Sequence, residues 1–378
     1  MDKRAFIRSG LATAGCIACG MNRSFLSANS IFEATTPAGA LWKWSREAYH
    51  YKVTERGVEC TNCPNACTLK RKETSKCHNR INIGDKLYSI AYGNPCAVHI
   101  DPIEKKPFFH FLPSTRAFSI ATAGCNLACL NCQNWEISQK SPKETTNYDL
   151  MPARVVDECI KNNCESIAYT YSEPTTFYEY VYDTAVIARS KGIRNIYKSN
   201  GYINEKPIRM LSKYLDAANI DLKGFTEASY LKLNSGKLAP VLRTLQVLKD
   251  EGVWLEITNL VIPAWTDDLT MIKNMCNWMV KNNLDDCPLH FSRFTPMYKL
   301  TQLPSTPVSV LQKARNIALS EGMKYVYVGN VPGTDLENTI CPKCKKTVIQ
   351  RKGFVVLANN LVNGACKFCM TKIAGVWS

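Results

Sequence analysis

The stretch AFSIATAGCNLACLNC, residues 117–132, places three cysteines directly after a short, mostly apolar segment. Cys125, Cys129 and Cys132 are spaced C-x3-C-x2-C. A structural zinc site takes four protein ligands, and a 4Fe–4S cube is normally held by four cysteines. Three thiolates on one loop therefore leave one position of such a centre open. The alternatives are a zinc knuckle with a distant fourth ligand and three buried structural cysteines.

The sequence from about residue 113 onward alternates short β segments with amphipathic helical segments, for example at 155–163, 176–192, 241–252 and 269–283. This alternation predicts βαβ units and a parallel sheet, and six or seven units suit a barrel or partial barrel. The chemistry of such folds gathers at the carboxyl ends of the strands. The predicted strands are AFSIAT (117–122), SIAYTYS (166–172), RNIYKS (194–199), AANIDLK (217–223), WLEITNLVI (254–262), LHFSRF (289–294) and YVYVG (325–329).

Four regions are predicted along the chain. Residues 1–40 form a leader, and residues 41–112 form a cysteine-rich module without clear periodicity. Residues 113–335 form the α/β core, and residues 336–378 form a short module with four cysteines.

The three-cysteine loop after the first core strand resembles the loop of the radical S-adenosylmethionine (SAM) superfamily. The resemblance implies a partial (β/α)6 TIM-like barrel and a 4Fe–4S cluster on Cys125, Cys129 and Cys132. In that superfamily the fourth iron binds SAM, and reduction of the cluster cleaves SAM to a 5′-deoxyadenosyl radical. One departure is Asn131, which stands where the superfamily often has an aromatic residue that packs on the adenine.

Polar residues at the ends of the next strands resemble those of the pyruvate formate-lyase activase branch of the superfamily. Glu173 would accept hydrogen bonds from the SAM ammonium group, a charge-assisted contact. Asp and Lys two residues apart on a strand point to the same face, so one can hold the ribose and the other the SAM carboxylate. Lys198 departs from the branch, which often has an acid there. Singly, each residue has a structural alternative. The cofactor-binding residues implied are Glu173, Ser199, Asn200, Asp221, Lys223 and His290.

A longer resemblance covers roughly residues 55–378. The segments GNPCAVHIDPIEKKPFFHFLPSTRAFSIATAGCNLACLNCQNWEISQ, EITNLVIP, PLHFSRFTP, YVYVGNVPG and ENTICPKC resemble the AmmeMemoRadiSam system radical SAM enzyme family. The resemblance implies protein partners from that system as candidates, and it names no substrate.

Two further cysteine groups have metal-ligand spacing. The C-terminal group has zinc-ribbon spacing around a predicted hairpin, TVIQRKGFVVL (347–357), and predicts zinc, with iron or a second cluster as the alternative. The N-terminal group predicts either zinc or an auxiliary iron–sulfur cluster, and the adjacent His78 competes as a ligand. These groups are Cys341, Cys344, Cys366 and Cys369, and Cys60, Cys63, Cys67 and Cys77.

Composition restricts the partners and the compartment. The chain has 378 residues, 18 cysteines and a net charge of +15, concentrated in the two cysteine-rich ends. No aromatic-and-basic motif supports nucleic-acid binding. Grouped cysteines in a large chain favour metal binding in a reducing compartment, so cytoplasmic action is predicted. The start, MDKRAFIRSGLATAGCIACG, resembles a twin-arginine export signal with Lys3 in place of the first Arg, which makes export or membrane association the alternative.

The functional prediction is a radical SAM enzyme, supplied by a low-potential electron donor, that abstracts hydrogen from a substrate at the mouth of the barrel. The substrate is a partner protein that receives a glycyl radical, or else a peptide or small molecule. A non-catalytic iron–sulfur electron carrier or scaffold is the alternative from another class. Tyr171 is the candidate to test for substrate contact. Cys96 and His99 are candidates to approach the mouth, and a buried structural role is the favoured alternative for Cys96.

Overall fold

The computed structural model describes residues 41–378, so the leader predicted for residues 1–40 lies outside the described residues. The first part of the described chain contains six short strands: β1 (Arg46–Glu47), β2 (Tyr51–Thr54), β3 (Gly57–Cys60), β4 (Thr68–Leu69), β5 (Arg80–Ile83) and β6 (Lys86–Ser89). They form two small antiparallel sheets, ordered β1-β6-β5 and β2-β3-β4. The N-terminal group of four cysteines lies at the end of β3, in the loop that follows it and in the loop that enters β5.

An eight-stranded sheet forms the centre of the protein: β7 (Ala97–Pro102), β8 (Arg116–Ala121), β9 (Ser166–Tyr169), β10 (Arg194–Ser199), β11 (Ala217–Asp221), β12 (Trp254–Val261), β13 (Leu289–Arg293) and β14 (Val326–Gly329). The strands lie side by side in chain order, and all neighbours are parallel except β7 and β8. Parallel strands are covered on both faces, which is why apolar segments such as SIAY are buried at every position.

The helices follow the strands and cover the sheet. Asp268 caps the seventh helix by accepting hydrogen bonds from the backbone N–H groups of Thr270 and Met271. None of the helices in residues 41–378 is both long enough and apolar enough to span a membrane. The helices are α1 (Trp135–Ser138), α2 (Pro152–Lys161), α3 (Tyr178–Ser190), α4 (Glu205–Ser212), α5 (Glu227–Ser229), α6 (Leu238–Asp250), α7 (Leu269–Lys281) and α8 (Val308–Ser320), with 3-10 turns at Ile103–Lys105, Pro142–Glu144 and Pro174–Phe177 and a π-helical turn at Tyr230–Asn234.

The seven predicted strands are present as β8 to β14, and the four predicted helical segments correspond to α2, α3, α6 and α7. The sheet is open: β7 and β14 are its two edges, and no pairing among the described strands closes it into a barrel. The partial six-unit barrel therefore stays a prediction. β7 falls within the predicted N-terminal region, 41–112, but it extends the central sheet because its backbone pairs with β8 from end to end.

The C-terminal module is a set of short antiparallel strands: β15 (Thr339–Ile340), β16 (Thr347–Lys352), β17 (Val355–Asn359), β18 (Leu361–Val362) and β19 (Ala365–Cys366). The predicted hairpin at 347–357 is confirmed as β16 and β17, with the turn at Gly353. Phe109, Tyr325 and Tyr327 pack with Cys341 and Cys366 in one buried cluster, so the module rests on the β14 edge of the central sheet.

Candidate functional site

A cavity of about 570 Å³ lies at the carboxyl ends of the parallel strands. Part of its floor is a row of polar side chains in register: Asp221 pairs with Thr258, Thr258 with His290, and His290 with Tyr327 on successive strands. Parallel strands bring their ends to one edge, so residues more than a hundred positions apart meet there. All nine residues predicted for the cluster and for SAM line this cavity: Cys125, Cys129, Cys132, Glu173, Ser199, Asn200, Asp221, Lys223 and His290.

Each of the three loop cysteines has a polar hydrogen near its sulfur. The Asn200 side-chain amide lies 3.7 Å from Cys125 Sγ, and the Asn234 amide donates to Cys129 Sγ at 3.2 Å. Ser138 Oγ lies 3.0 Å from Cys132 Sγ. Hydrogen bonds to sulfur favour the anionic form that binds metal.

The π-helical turn Tyr230–Asn234 holds the middle of the loop. The backbone N–H of Ala128 donates to Asn234 O at 3.1 Å, and that of Leu130 donates to Leu233 O at 2.9 Å. A π turn is often found at functional sites, because it shifts one residue out of helical register. Here it places the Asn234 amide against Cys129, a contact that the sequence reasoning missed.

Burial disfavours the thiolate forms of Cys125 and Cys129 when no metal is bound. Burial raises the pKa of Cys125, with Glu173 as the next cause, and burial raises the pKa of Cys129 against the opposing influence of Lys223. A cation at the three sulfurs would reverse this penalty, since metal binding deprotonates cysteine. Cys129 is buried and Cys125 and Cys132 are partly buried. Three sulfurs with N–H or O–H neighbours, open to one large cavity, fit a cluster that keeps a position free for another ligand.

Glu173 ties the ends of two strands together. Its Oε1 accepts from Ser199 Oγ at 2.7 Å and from the Thr175 N–H at 2.9 Å, and its Oε2 accepts from the Asn200 N–H at 2.8 Å. Burial raises the pKa of Glu173, while these donors oppose the rise. A carboxylate offers about four acceptor positions. One position therefore remains for the ligand predicted from the sequence, while Ser199 is already engaged by Glu173.

Asp221 lies between two lysines. Lys198 forms a short ion pair with Asp221 Oδ1, and Lys223 Nζ lies 3.0 Å from Oδ2. Burial acts to raise the pKa of Asp221, but the lysines outweigh it and lower the pKa to about 2. The lysine that departs from the activase pattern is thus the partner of Asp221. The trio carries one net positive charge, which suits an anionic group of a ligand.

His290 is held by a buried carboxylate. Its Nε2 lies 2.6 Å from Glu256 Oε2, and Glu256 also accepts from the backbone N–H groups of Phe109 and His110. Burial lowers the pKa of His290, although Glu256 opposes the change. The His290 ring stacks on Tyr327 at 5.1 Å between centroids. His290 therefore lines the cavity with its Nε2 already hydrogen-bonded to Glu256.

A second charged cluster on the cavity wall was missed from the sequence. The buried Lys106 Nζ forms a short ion pair with Asp101 and lies 3.2 Å from the Tyr171 hydroxyl. Burial lowers the pKa of Lys106 to about 8 despite the attraction of Asp101. Tyr171, predicted to contact substrate, lines the cavity in a left-handed conformation with φ of 63°. The signal available in the sequence was a pair of lysines directly before an aromatic segment, in KKPFFHF (105–111).

The remaining candidates lie elsewhere. Cys96 and His99 are outside the residues that line the cavity. The four C-terminal cysteines form one group, with ligand atoms all within 4.8 Å of one another. Two of their sulfur pairs are 3.6 and 3.7 Å apart. The four N-terminal cysteines line a separate small cavity, whereas His78 is exposed and does not line it.

Residues 119–275 match the radical SAM superfamily, whose members are enzymes, and such a domain implies an iron–sulfur cluster and SAM. The chain belongs to the same family as the uncharacterized protein MJ0808 of Methanocaldococcus jannaschii. The two are 45% identical over 331 residues, which span 87% of this chain and 98% of that protein.

Two solved structures are similar to parts of the chain. A domain of a pyruvate-formate lyase-activating enzyme from Bacteroides vulgatus is 14% identical, with a TM-score of 0.38 over 44% of this chain and 99% of that one. SuiB of Streptococcus suis bound to S-adenosylmethionine is 13% identical, with a TM-score of 0.46 over 60% of this chain and 53% of that one.

Proposed function

We propose that the protein is a radical SAM enzyme that abstracts hydrogen from a substrate bound in the 570 Å³ cavity. The observation that carries the proposal is the shared cavity: the three loop cysteines and the six strand-end residues predicted for SAM all line it. When bound, the cluster and SAM supply, after one-electron reduction, a radical that abstracts hydrogen. A non-catalytic electron carrier has no need of a large polar cavity beside its cysteines.

The residues of the chain then have separable tasks. Cys125, Cys129 and Cys132 hold the cluster, and the amides of Asn200 and Asn234 stabilise its negative sulfurs. Hydrogen bonds of this kind are among the features that set the potential of an iron–sulfur centre.

The charges around the open position suit the amino acid end of SAM. Glu173 has one acceptor position left for an ammonium group, and Lys223 offers donors to a carboxylate. Charge-assisted hydrogen bonds of this type are about twice as strong as neutral ones. Asp221, held ionised by its two lysines, is an acceptor for ribose hydroxyls.

The C-terminal module closes one side of the cavity. Phe354 in its hairpin turn and Glu337 in the segment before it both line the cavity. The buried Arg351 donates to Phe109 O at 2.6 Å, which fixes the hairpin to the central sheet. Excluding water protects a reactive radical from side reactions. We propose that the module acts as this wall, and that its four thiolates hold zinc, whose ligands at about 2.3 Å lie about 3.8 Å apart.

The test is anaerobic reconstitution with iron and sulfide, followed by incubation with SAM and dithionite. We expect 5′-deoxyadenosine from the wild type and none from Cys129→Ala. Cys96→Ala removes a half-buried cysteine outside the cavity and should leave the yield unchanged. Deuterated peptides and small molecules, tested in turn, should show deuterium in the nucleoside when the true substrate is present. A fully loaded wild type that leaves SAM intact would refute the proposal.

Activation of a partner protein, partners from the AmmeMemoRadiSam system, the electron donor and cytoplasmic action remain predictions from the sequence. A purified glycyl-radical partner would show the radical directly by electron paramagnetic resonance, which distinguishes it from a peptide or small-molecule substrate.

A further inference from the structure

A second, much smaller cavity of about 20 Å³ lies between the N-terminal module and the cluster loop. All four N-terminal cysteines line it. Cys60 ends β3 and Cys77 lies just before β5, so two different sheets contribute ligands. The cavity is also lined by Asn62, Asn65, Ser75, Arg80, Asn126, Thr175 and Thr176.

The spacing of the sulfurs separates this site from the C-terminal one. Four thiolates on a single zinc lie about 3.8 Å apart, because each is about 2.3 Å from the ion. Among the residues from 41 to 378, the C-terminal four are the group whose ligand atoms all lie within 4.8 Å of one another. The N-terminal four do not meet that spacing, and neither do Cys125, Cys129 and Cys132. Wider spacing is expected when each thiolate binds a different iron of a cluster.

Arg80 supplies an independent sign of an anionic occupant. Its guanidinium is buried, with 2% of the side chain exposed. Nη1 pairs with Glu179 at 2.6 Å, but Nη2 has no hydrogen-bond partner among the described atoms. Leaving a buried, charged N–H group unsatisfied is costly. Because Arg80 lines the thiol cavity, thiolates and sulfides of a bound cluster are the acceptors that this group lacks.

We propose that Cys60, Cys63, Cys67 and Cys77 hold a second iron–sulfur cluster, of the 4Fe–4S type, with Arg80 donating to its sulfur atoms. All of its irons are then ligated by protein, so this cluster has no open position for SAM. The N-terminal group then holds iron and not zinc. His78, the competing ligand considered from the sequence, is excluded by its exposure.

The two sites are in direct contact through the protein. Asn126 lines the small cavity while its neighbour Cys125 lines the large one, and neighbouring Cα atoms are about 3.8 Å apart. Asn65 Nδ2 donates to Asn126 O at 2.7 Å. Gly124, with φ of +97°, packs so closely that a Cβ there would lie 2.4 Å from Cys77 O. Any other residue at Gly124 would push the two sites apart.

This contact suits one-electron exchange between the clusters, a step that rests on the proposed function. A low-potential iron–sulfur carrier protein would give one electron to the N-terminal cluster and become oxidised. The same electron would then pass to the cluster on Cys125, which becomes reduced.

The first test counts metal in the full-length wild-type chain after anaerobic reconstitution with iron, sulfide and zinc. We expect about eight irons, about eight sulfides and about one zinc per chain, because each cube holds four irons. Four irons with two zincs would overturn the proposal, and so would four irons with one zinc.

The second test uses the variant Cys125→Ala/Cys129→Ala/Cys132→Ala, which leaves the N-terminal site intact. It should keep about four irons per chain, and added Cys63→Ala and Cys67→Ala changes should remove them. Loss of all iron in the triple variant would overturn the proposal.

The third measurement guards against misfolding of variants, because its deciding spectrum is that of the wild type. Dithionite-reduced wild type should show electron paramagnetic resonance lines split by interaction between two nearby clusters, and the triple variant should show one unsplit signal. An unsplit signal in fully loaded wild type would contradict the contact between the sites. Iron retained in the triple variant with no SAM cleavage by the wild type would refute the proposed function while leaving this site in place.

Discussion

Replacing Asp221 by asparagine should destabilise the protein through the two lysines that lose their partner. The folded protein lowers the pKa of Asp221 from 3.8 to about 2. One pKa unit corresponds to about 1.4 kcal/mol, so the ionised carboxylate stabilises the fold by about 2 kcal/mol. Because the folded pKa is depressed, this contribution is present above about pH 4 and is lost as the pH falls toward 2.

The assay is thermal unfolding of the anaerobic, metal-free protein at several pH values, because acid protonates cysteine thiolates and releases their metal. At 2–4 °C per kcal/mol for a domain of 150–250 residues, Asp221→Asn should melt about 5 °C below the wild type at pH 7. The gap should narrow as the pH falls from 4 toward 2. The matched control is Asp85→Asn, which removes the partner of the exposed Arg71 and should shift the melting temperature by no more than about 1–2 °C.

A double variant isolates the cause. Asp221→Asn/Lys198→Met also removes the partly buried ammonium group that lost its partner, so it should be more stable than Asp221→Asn alone. Removing one member of a pair that is largely shielded from water costs more than replacing both, since the remaining charge is left uncompensated. An additive loss in the double variant, or a gap that widens toward low pH, would show that the two charges do not depend on each other.

Three further changes test the cluster loop, the SAM-binding residues and the C-terminal cysteine group. Asn234→Ala removes the donor at 3.2 Å from Cys129 Sγ, and loss of about 1 kcal/mol of hydrogen bonding should lower the one-electron potential of the cluster by about 40 mV in a potentiometric titration. Lys223→Gln removes a cation expected to bind the SAM carboxylate, so SAM should bind about 10–100-fold more weakly by equilibrium dialysis. Cys344→Ser opens the C-terminal group, so about one zinc per chain should be lost while the iron content stays unchanged.

Each of these changes has a control variant or an outcome that would contradict it. Asn65→Ala alters an amide that donates to the loop backbone rather than to a loop sulfur, and it should leave the potential of the Cys125 cluster nearly constant. Lys105→Gln changes an exposed lysine at the cavity rim and should weaken SAM binding by no more than about fivefold. Zinc retained in Cys344→Ser, or iron lost from it, would contradict the assignment of the C-terminal group.

Local patterns in the sequence determined the elements and the motifs. The seven core strands are short apolar runs and the helices between them have helical periodicity, and both signals depend only on neighbouring residues. The three cysteine groups were equally visible, because ligand spacing is itself a local property. The expectation that strand-end residues would meet followed from the rule that parallel strands share one carboxyl edge.

The tertiary structure decided which of these residues hold one another. Ser199 and the Asn200 backbone bind Glu173, Lys198 binds Asp221, and Glu256 binds His290 across neighbouring strands. These contacts depend on sheet register, which no single segment encodes. The sequence therefore listed the groups near the cavity without showing which were already paired.

Contacts between residues far apart in the chain could not be predicted from local sequence patterns. Asn234 reaches Cys129 across 105 positions, and Arg80 reaches Glu179 across 99. Such contacts exist because the whole chain folds into one packed arrangement, whose many weak preferences are satisfied together. Spacing alone left the N-terminal cysteines between zinc and iron–sulfur. Two features that exist only after folding favour the cluster. The four sulfurs do not all lie within 4.8 Å of one another, and Nη2 of Arg80 has no hydrogen-bond partner among the described atoms.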